Sequence, residues 1–228
     1  MKLWLITIVL SLLAETTLLA LKDSKSKWLR LLMSVASTVA IIWSANVCYQ
    51  ESVDWQFGIY IVTGLIFAAF SLFFEELGYI YKKVEKRWKK ISRVFSIISA
   101  CIYIGFVIFR DYKASMLAVP ISILLTGLLY WISLSELNIS RRQKKWSTVS
   151  LIFTVFMFSS SISILVLHGN QRAYVILTIG MFLVMLADVL RLSCLYLKDN
   201  KKRNVITQQI GTYIGQLLIA VSMVCFIS

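Results

Sequence analysis

Residues 173–197 read AYVILTIGMFLVMLADVLRLSCLYL, an apolar run in which only Asp188 and Arg191 carry charge. A run of roughly 20 apolar residues is long enough to cross the hydrocarbon core of a bilayer as a helix. A charge inside such a run costs at least about 2.5–3.5 kcal/mol on insertion scales and usually marks function. The stretch therefore predicts a membrane-spanning helix that carries a functional carboxylate.

Similar apolar stretches fill most of the chain. Its 228 residues are 59% hydrophobic and include a single proline, and the mean hydropathy is +0.79. A soluble domain of this size would not carry so much apolar surface. We predict an all-α membrane bundle in one integral membrane domain, 1–228, with spans at 3–21, 28–47, 56–78, 92–109, 114–134, 146–167, 173–197 and 205–227. The first is interpreted as a retained span, because Glu15 interrupts it and no small-residue cleavage site follows.

The basic residues alternate between loops. The net charge is +13, which would favour nucleic acid as a partner of a soluble protein. Here most Lys and Arg residues lie in the first, third, fifth and seventh loops, so we expect membrane lipids and not nucleic acid as partners. The positive-inside rule places those loops in the cytoplasm, against anionic lipid head groups, and both termini outside. A bacterial inner or plasma membrane fits these features.

The third loop, Tyr79–Lys90, is the longest polar segment. Two interpretations stay open for it: an amphipathic extension of span three along the membrane surface, or a solvated loop that sets topology. The second is favoured, since orientation alone explains the charge.

The acidic residues of the spans share one depth. Counting 1.5 Å per residue places them in the cytoplasmic half of the membrane, as it does a polar face of span eight. Polar groups at that depth face the bundle interior or a wet cavity, so we predict one polar cavity open toward the cytoplasm. The residues are Glu15, Glu75, Glu76 and Asp188, with Arg191 beside Asp188 and with Gln209, Thr212, Tyr213 and Gln216 at i, i+3, i+4, i+7.

Each of these residues also has a structural interpretation. The pair Glu75–Glu76 could extend to the interface, Asp188 could pair with Arg191, and Glu15 could pair with a base of loop one. Tyr213 and Gln216 could serve only as interhelical hydrogen bonds.

No cofactor and no metal site is predicted. His168, the single histidine, should lie at the outer end of span six, away from the polar layer. Cys48 and Cys225 should both lie near the outer face, where a disulfide is open but unsupported.

Glu75 in span three and Asp188 in span seven lie on helices with the same place in the chain order of each half. Both spans are third helices of a four-helix half, so a 4+4 repeat about an axis along the membrane normal would bring Glu75 and Asp188 face to face. Paired carboxylates in a low dielectric share a proton, so that one acts as an acid while the other stabilises positive charge. Such a pair suits acid-catalysed cleavage of an acetal-like or enol-ether C–O bond.

The C-terminal part resembles the YhhN family, eight-span membrane proteins that include lysoplasmalogenases. The likeness lies in Gly180–Leu190, which ends Ala187-Asp188-Val-Leu, and in Thr212-Tyr213-Ile-Gly-Gln216-Leu-Leu-Ile-Ala220. Ser71-Leu-Phe-Phe-Glu75 is similar to the family's S-x-x-G-D, and Lys27-Trp28 stands where the family has Lys-Pro. Phe74, Glu75, Ala187 and Trp28 replace glycine, aspartate, serine and proline of the family pattern.

The resemblance implies hydrolysis of the vinyl-ether bond of lysoplasmalogens, a class of lysophospholipid. Glu75 and Asp188 would then be the catalytic acids. The expected substrate-binding residues are Lys27, Arg30 and Arg191 for the phosphate, Tyr213 and Gln216 for water or the head group, and Glu15 and Glu76 beside them.

Two other functions stay open. The first is a non-catalytic lipid-binding, sensor, immunity or accessory membrane protein on the same scaffold, which the four departures favour. The second is a small proton-linked transporter, against which a single proline among eight spans gives little sign of broken helices. The sequence leaves the oligomeric state open.

Overall fold

Eight long helices make up the fold. The computed structural model describes residues 2–23, 26–134, 141–169, 171–196 and 201–225, and no strand occurs within them. The helices are α1 (Leu3–Ala20), α2 (Lys27–Gln50), α3 (Trp55–Ile80), α4 (Glu85–Arg110), α5 (Tyr112–Leu134), α6 (Arg141–His168), α7 (Arg172–Tyr196) and α8 (Lys201–Ser222). All eight are long and apolar enough to cross a membrane. The predicted eight-helix fold is confirmed, and the chain is an integral membrane protein.

Short connections with local caps set several helix starts. The Ser26 side chain accepts a hydrogen bond from the backbone N–H of Leu29, and Asp54 accepts one from Phe57. Such caps satisfy backbone donors that the first helical turn leaves open. Turns of 3-10 helix lie at Leu21–Asp23 and Lys82–Val84; we call the end of the bundle that holds these two turns the basic end.

The helix contacts repeat with an offset of four. Contacts α1–α2, α2–α3 and α3–α4 recur as α5–α6, α6–α7 and α7–α8, and contacts α4–α5 and α4–α6 recur as α8–α1 and α8–α2. These contacts follow the expected 4+4 repeat. The contacts α3–α8 and α5–α7 have no counterpart in the other half within the described residues, so the repeat is approximate. Glu75 on α3 and Asp188 on α7 thus lie on corresponding helices.

Helices α7 and α8 cross in close contact. The backbones of Gly180 and Gly215 lie in contact, so that a Cβ on Gly180 would come 2.8 Å from the Gly215 carbonyl oxygen. Small residues allow this approach in membrane bundles, where packing and not hydrophobicity drives helix association. The crossing fixes α8 against the acidic helix α7.

The outer surface of the bundle is apolar. Trp28, Ile123, Leu124 and Trp131 each expose more than 60% of their surface. Side chains of this kind face lipid in a membrane protein, and tryptophans near helix ends suit its interfaces. The helices α1 and α5 carry the smallest buried share and α8 the largest. The polar face of α8 points into the bundle, since Gln209, Tyr213 and Gln216 are all buried.

The structure corrects the predictions for the third loop and the cysteine pair, and it does not describe some residues of the predicted spans. Both interpretations of the Tyr79–Lys90 segment are wrong for most of it. It is not a surface extension of span three, because α3 ends at Ile80, and it is not a solvated loop throughout, because α4 already begins at Glu85 rather than at residue 92. Hydropathy misses these first turns because the charged residues continue the helix beyond the apolar slab. Cys48 and Cys225 are free thiols. Residue 197 of the predicted span seven and residues 226 and 227 of the predicted span eight lie outside the described residues.

Candidate functional site

Two carboxylates and one guanidinium meet in the bundle. Arg191 Nη2 lies 2.5 Å from Glu75 Oε2, and Arg191 Nη1 lies 3.6 Å from Asp188 Oδ1. Asp188 and Arg191 share a face of α7 because they are three residues apart. Arg191 thus lies between two acids, Glu75 from the first four helices and Asp188 from the last four. We call Glu75, Asp188 and Arg191 the acid–arginine cluster.

Neighbouring helices complete the bonding of this cluster. Thr154 of α6 donates a hydrogen bond of 2.7 Å to Asp188 Oδ2. Gln208 of α8 donates one of 3.4 Å to Glu75 Oε1, and Arg191 reaches Ser92 Oγ at 3.3 Å. Each of the four carboxylate oxygens therefore has a polar neighbour, as buried charges require.

A small cavity adjoins the cluster. Its volume of about 40 Å³ is room for a few water molecules and far too little for an acyl chain. Its walls come from α3, α4, α6, α7 and α8. The polar lining residues are Ser71, Glu75, Ser96, Ser99, Tyr103, Thr154, Asp188, Arg191, Thr212 and Gln216.

Two buried polar atoms belong to residues of the cavity wall. Tyr103 Oη and Gln216 Oε1 have no hydrogen-bond partner within the described part of the chain. Buried groups of this kind are rare and call for a water or a ligand. A hydroxyl donor and an amide acceptor in one wall suit a water molecule, which both donates and accepts.

Glu76 belongs to a different cluster from its neighbour Glu75. It pairs with Arg30 of α2 at 2.5 Å and accepts a 3.2 Å bond from Gln209. Consecutive residues of a helix point about 100° apart, so Glu75 and Glu76 face different neighbours. On α8, the adjacent residues Gln208 and Gln209 likewise point in different directions: Gln208 donates to Glu75 and Gln209 donates to Glu76.

Glu15 and Tyr213 lie on the α1 side of the bundle. Glu15 accepts a 2.6 Å hydrogen bond from Ser37 of α2, and Tyr213 donates one of 2.9 Å to the Ser11 carbonyl. Neither residue lines the cavity of Glu75 and Asp188. The structure thus separates Tyr213 from Gln216, although the sequence placed them on one polar face.

The predicted phosphate ligands differ in their surroundings. Arg191 is engaged by Glu75 and Asp188, and Arg30 by Glu76. Lys27 is exposed at the first residue of α2, away from the cavity. Of the three, the two arginines already have carboxylate partners.

Sequence reasoning missed several members of the site. Thr154, Ser92 and Tyr103 were not singled out, because hydroxyl groups in apolar spans are usually packing residues. Lys22 belongs to the first loop of the sequence, yet its Nζ lies 2.5 Å from Gln209 Oε1. Thr154 can be recognised as a partner of Asp188 only once α6 is known to lie beside α7.

Metal ligation has no support in the described ranges. Within them, no three His, Cys, Asp or Glu side chains come close enough together to hold a metal ion. The one histidine, His168, lies at the end of α6 and contacts Asp111 at 3.0 Å, at the end opposite the acid–arginine cluster.

Comparison with protein-family models, with curated proteins and with solved structures finds no match to this chain.

Proposed function

We propose that the chain is a membrane-embedded hydrolase of the lysoplasmalogenase kind, which cleaves the vinyl-ether bond of a lysophospholipid. The products would be a fatty aldehyde and a glycerophospho-alcohol. One observation carries the proposal: Glu75 and Asp188 flank Arg191 beside a cavity with room for water. The likeness of Gly180–Ala220 to the YhhN pattern agrees with it.

Charge counting indicates how the site would hold a proton. Two carboxylates and one guanidinium carry one negative charge in total, so the cluster is neutral when it binds one proton. A low-dielectric interior favours the neutral cluster over the charged one. That proton is then available for transfer to a substrate.

The reaction would begin with proton transfer to the vinyl ether and continue with the addition of water. The protonated acid donates its proton to the β-carbon of the enol ether, and the C=C electron pair forms the new C–H bond. The resulting oxocarbenium ion is stabilised by the second carboxylate. Water adds to the cationic carbon and loses a proton to the first carboxylate. The hemiacetal then breaks its C–O bond to the glycerol oxygen: the first acid gives its proton to that oxygen and takes up the hydroxyl proton, which releases the alcohol and the aldehyde.

Tyr103 and Gln216 would hold the attacking water. Gln216 Oε1 can accept a hydrogen bond from it and Tyr103 Oη can donate one, and both atoms are unpartnered within the described residues. Holding the water in place removes much of the entropic cost of bringing it to the cation.

Substrate entry requires a movement of helices. The cavity of about 40 Å³ admits water and not an acyl chain. The proposal therefore includes a separation of helices around the cavity, so that the vinyl ether approaches Glu75 and Asp188 while the chain lies among apolar side chains.

The test is aldehyde release from lysoplasmenylethanolamine by the purified protein. General acid catalysis contributes about 10²–10⁴-fold, so Glu75→Gln and Asp188→Asn should each lower the rate by at least about 10²-fold. Glu51→Gln, at an exposed carboxylate after α2, is the matched control and should retain full activity. Unchanged rates in both site variants would overturn the proposed pair.

A non-catalytic lipid-binding or sensor protein is the second candidate. The observation that favours it is the saturation of the acids: Glu75 and Asp188 both have a basic and a neutral partner, and the cavity is small. An intact lipid that co-purifies in stoichiometric amount, with no aldehyde formed, would support this function over the first.

For the topology we infer that the basic end faces the cytoplasm of a bacterial cell and both termini face outside. The support is the concentration of Lys and Arg in alternate connections, which would also contact anionic lipid. A C-terminal reporter enzyme that is active only outside the cytoplasm tests it. Activity of that fusion is expected, and activity of a cytoplasmic reporter at the same position would reverse the orientation.

A further inference from the structure

Glu15 is a buried carboxyl group without an ion pair. Only 7% of its surface is exposed, and no Lys, Arg or His side chain of the described residues comes within 4 Å of its oxygens. Two bases of the first loop that could have paired with it bond elsewhere, Lys22 to Gln209 and Arg30 to Glu76. An isolated carboxylate inside a membrane bundle is costly, so a neutral form of Glu15 is favoured.

Hydroxyl groups from two other helices meet at Glu15. Ser37 Oγ of α2 lies 2.6 Å from Glu15 Oε2. The Tyr213 hydroxyl of α8 forms a hydrogen-bonding contact with the Ser37 side chain and donates a 2.9 Å bond to the Ser11 carbonyl oxygen. Ser11 lies one helical turn before Glu15 on α1. Three helices therefore close a polar group around a single carboxyl.

The number of hydrogens in this group indicates a proton on Glu15. With Glu15 ionised, Ser37 donates to Glu15 and Tyr213 donates to the Ser11 carbonyl, which leaves no hydrogen for the contact between Ser37 and Tyr213. A proton on Glu15 supplies it: Glu15 then donates to Ser37, Ser37 to Tyr213, and Tyr213 to the Ser11 carbonyl. The oxygen positions stay the same, and only the direction of the bond between Glu15 and Ser37 is reversed.

The charged groups around Glu15 do not take the place of that proton. Glu76 of α3 opposes a negative charge on Glu15, Lys22 in the turn after α1 favours one, and the effect of Lys22 is no larger than that of Glu76. On α2, Arg30 is held by Glu76, and α8 contributes the neutral phenol of Tyr213. The surroundings thus leave the charge of an ionised Glu15 largely uncompensated.

We propose that Glu15 is a proton-binding site in the membrane interior, occupied at neutral pH and separate from the acid–arginine cluster. A glutamic acid in water is almost entirely ionised at neutral pH, so the retained proton is a property of this site. Glu15 does not line the cavity that holds Glu75 and Asp188. The proton at Glu15 is therefore a second one, and its binding does not depend on vinyl-ether hydrolysis.

The experiment is infrared difference spectroscopy of the purified protein in detergent. The spectrum of Glu15→Gln is subtracted from that of the unaltered chain, so that the difference reports the carboxyl group of Glu15. A protonated carboxyl gives the C=O band of a carboxylic acid, and an ionised one gives the two bands of a carboxylate. Glu51→Gln, at an exposed position after α2, is the control and should remove carboxylate bands only.

The expected difference spectrum contains a carboxylic-acid band at neutral pH, which gives way to carboxylate bands in alkaline buffer. Carboxylate bands already present at neutral pH would overturn the proposal. Conversion of the acid band to carboxylate bands when sodium chloride replaces choline chloride at constant pH would make a sodium ion the ligand and would also overturn it. So would an acid band that stays unchanged at every pH at which the protein is folded.

A second variant keeps the test valid if Glu15→Gln fails to fold. Ser37→Ala leaves Glu15 in place and removes the oxygen that accepts its proton, so the acid band of Glu15 should shift. An acid band that does not change in Ser37→Ala belongs to another carboxyl group, such as the acid–arginine cluster, and would overturn the assignment to Glu15.

Thermal unfolding separates a bound proton from a structural charge. The amide of Glu15→Gln can donate to Ser37 as the protonated acid does, so its Tm should stay near that of the unaltered chain. Glu76→Gln is the matched variant, since Glu76 is also buried but is paired with Arg30, and its loss should lower the Tm clearly. A loss of Tm in Glu15→Gln as large as in Glu76→Gln would contradict a neutral Glu15.

Discussion

Arg191 and Glu75 are 116 residues apart in the chain, yet Arg191 Nη2 lies 2.5 Å from Glu75 Oε2. Their helices, α7 and α3, do not pack directly against each other in the described residues. The long arginine side chain spans the gap, so the two halves of the bundle are joined by an ion pair at its interior. This link makes Arg191 a structural element as well as a member of the candidate site.

Removing Arg191 should destabilise the fold strongly. In Arg191→Leu, Glu75 and Asp188 lose their shared cation while both stay buried. Breaking a buried ion pair from one side costs about 3–5 kcal/mol. Thermal unfolding in detergent, followed by tryptophan fluorescence, should show a clearly lowered Tm.

A double variant and a control sharpen this test. Glu75→Gln in the Arg191→Leu background should recover part of the loss, since one uncompensated charge disappears. Arg110→Leu breaks the Arg110–Asp54 pair, which is more exposed, and should cost about 1 kcal/mol or less. Equal Tm losses in Arg191→Leu and Arg110→Leu would contradict a buried link between the halves.

Thr154 should matter through its bond to Asp188. Thr154→Val keeps the shape of the side chain and removes the 2.7 Å donor, which leaves one buried carboxylate oxygen without its partner. The expected cost is about 1–3 kcal/mol, with a drop of at least about tenfold in aldehyde release if Asp188 is a catalytic acid. Thr63→Val is the control, because within the described residues Thr63 donates to the Ile59 carbonyl of its own helix and to no carboxylate. Equal behaviour of the two valine variants would contradict a role for Thr154.

The fold was predictable because the membrane imposes it. Apolar runs such as 173–197 must form helices, since lipid offers no partner for open backbone groups. Hydropathy missed the start of α4, where charged residues continue the helix into the aqueous layer. The burial of Glu75, Glu76 and Asp188 also followed from their place in apolar spans.

The partners of those acids were not predictable from the sequence. The pairing of Glu75 with Arg191, rather than with a loop lysine, depends on how α3 and α7 rotate about their axes. Contact of Lys22 and Lys89 with the Tyr79 ring likewise needs three elements to meet. Spacing along one helix indicated Asp188–Arg191 correctly, because it depends on one helix alone.

The crossing of α7 and α8 should tolerate no added carbon. In Gly180→Ala the new Cβ would lie 2.8 Å from the Gly215 carbonyl oxygen and 2.8 Å from Ile219 Cγ1, so the helices must move apart. Overpacking of this kind costs about 1–3 kcal/mol. Gly105→Ala meets nothing within 4 Å and should be neutral or gain up to about 1 kcal/mol from helix propensity. Matching Tm values for the two variants would contradict a close crossing.

Asp111, between α4 and α5, should make stability depend on pH in the acid range. The backbone N–H of Lys113, with help from Ala114 and His168, holds the pKa of Asp111 below its usual value. The ionised form is therefore favoured in the folded state. Its contribution is present above the unfolded pKa of about 3.9 and is lost as pH falls through the lower folded value. In a His168→Gln background, which removes the one histidine, the Tm difference between Asp111 and Asp111→Asn should shrink below about pH 4. A difference that stays constant from pH 6 to about pH 3 would exclude this role.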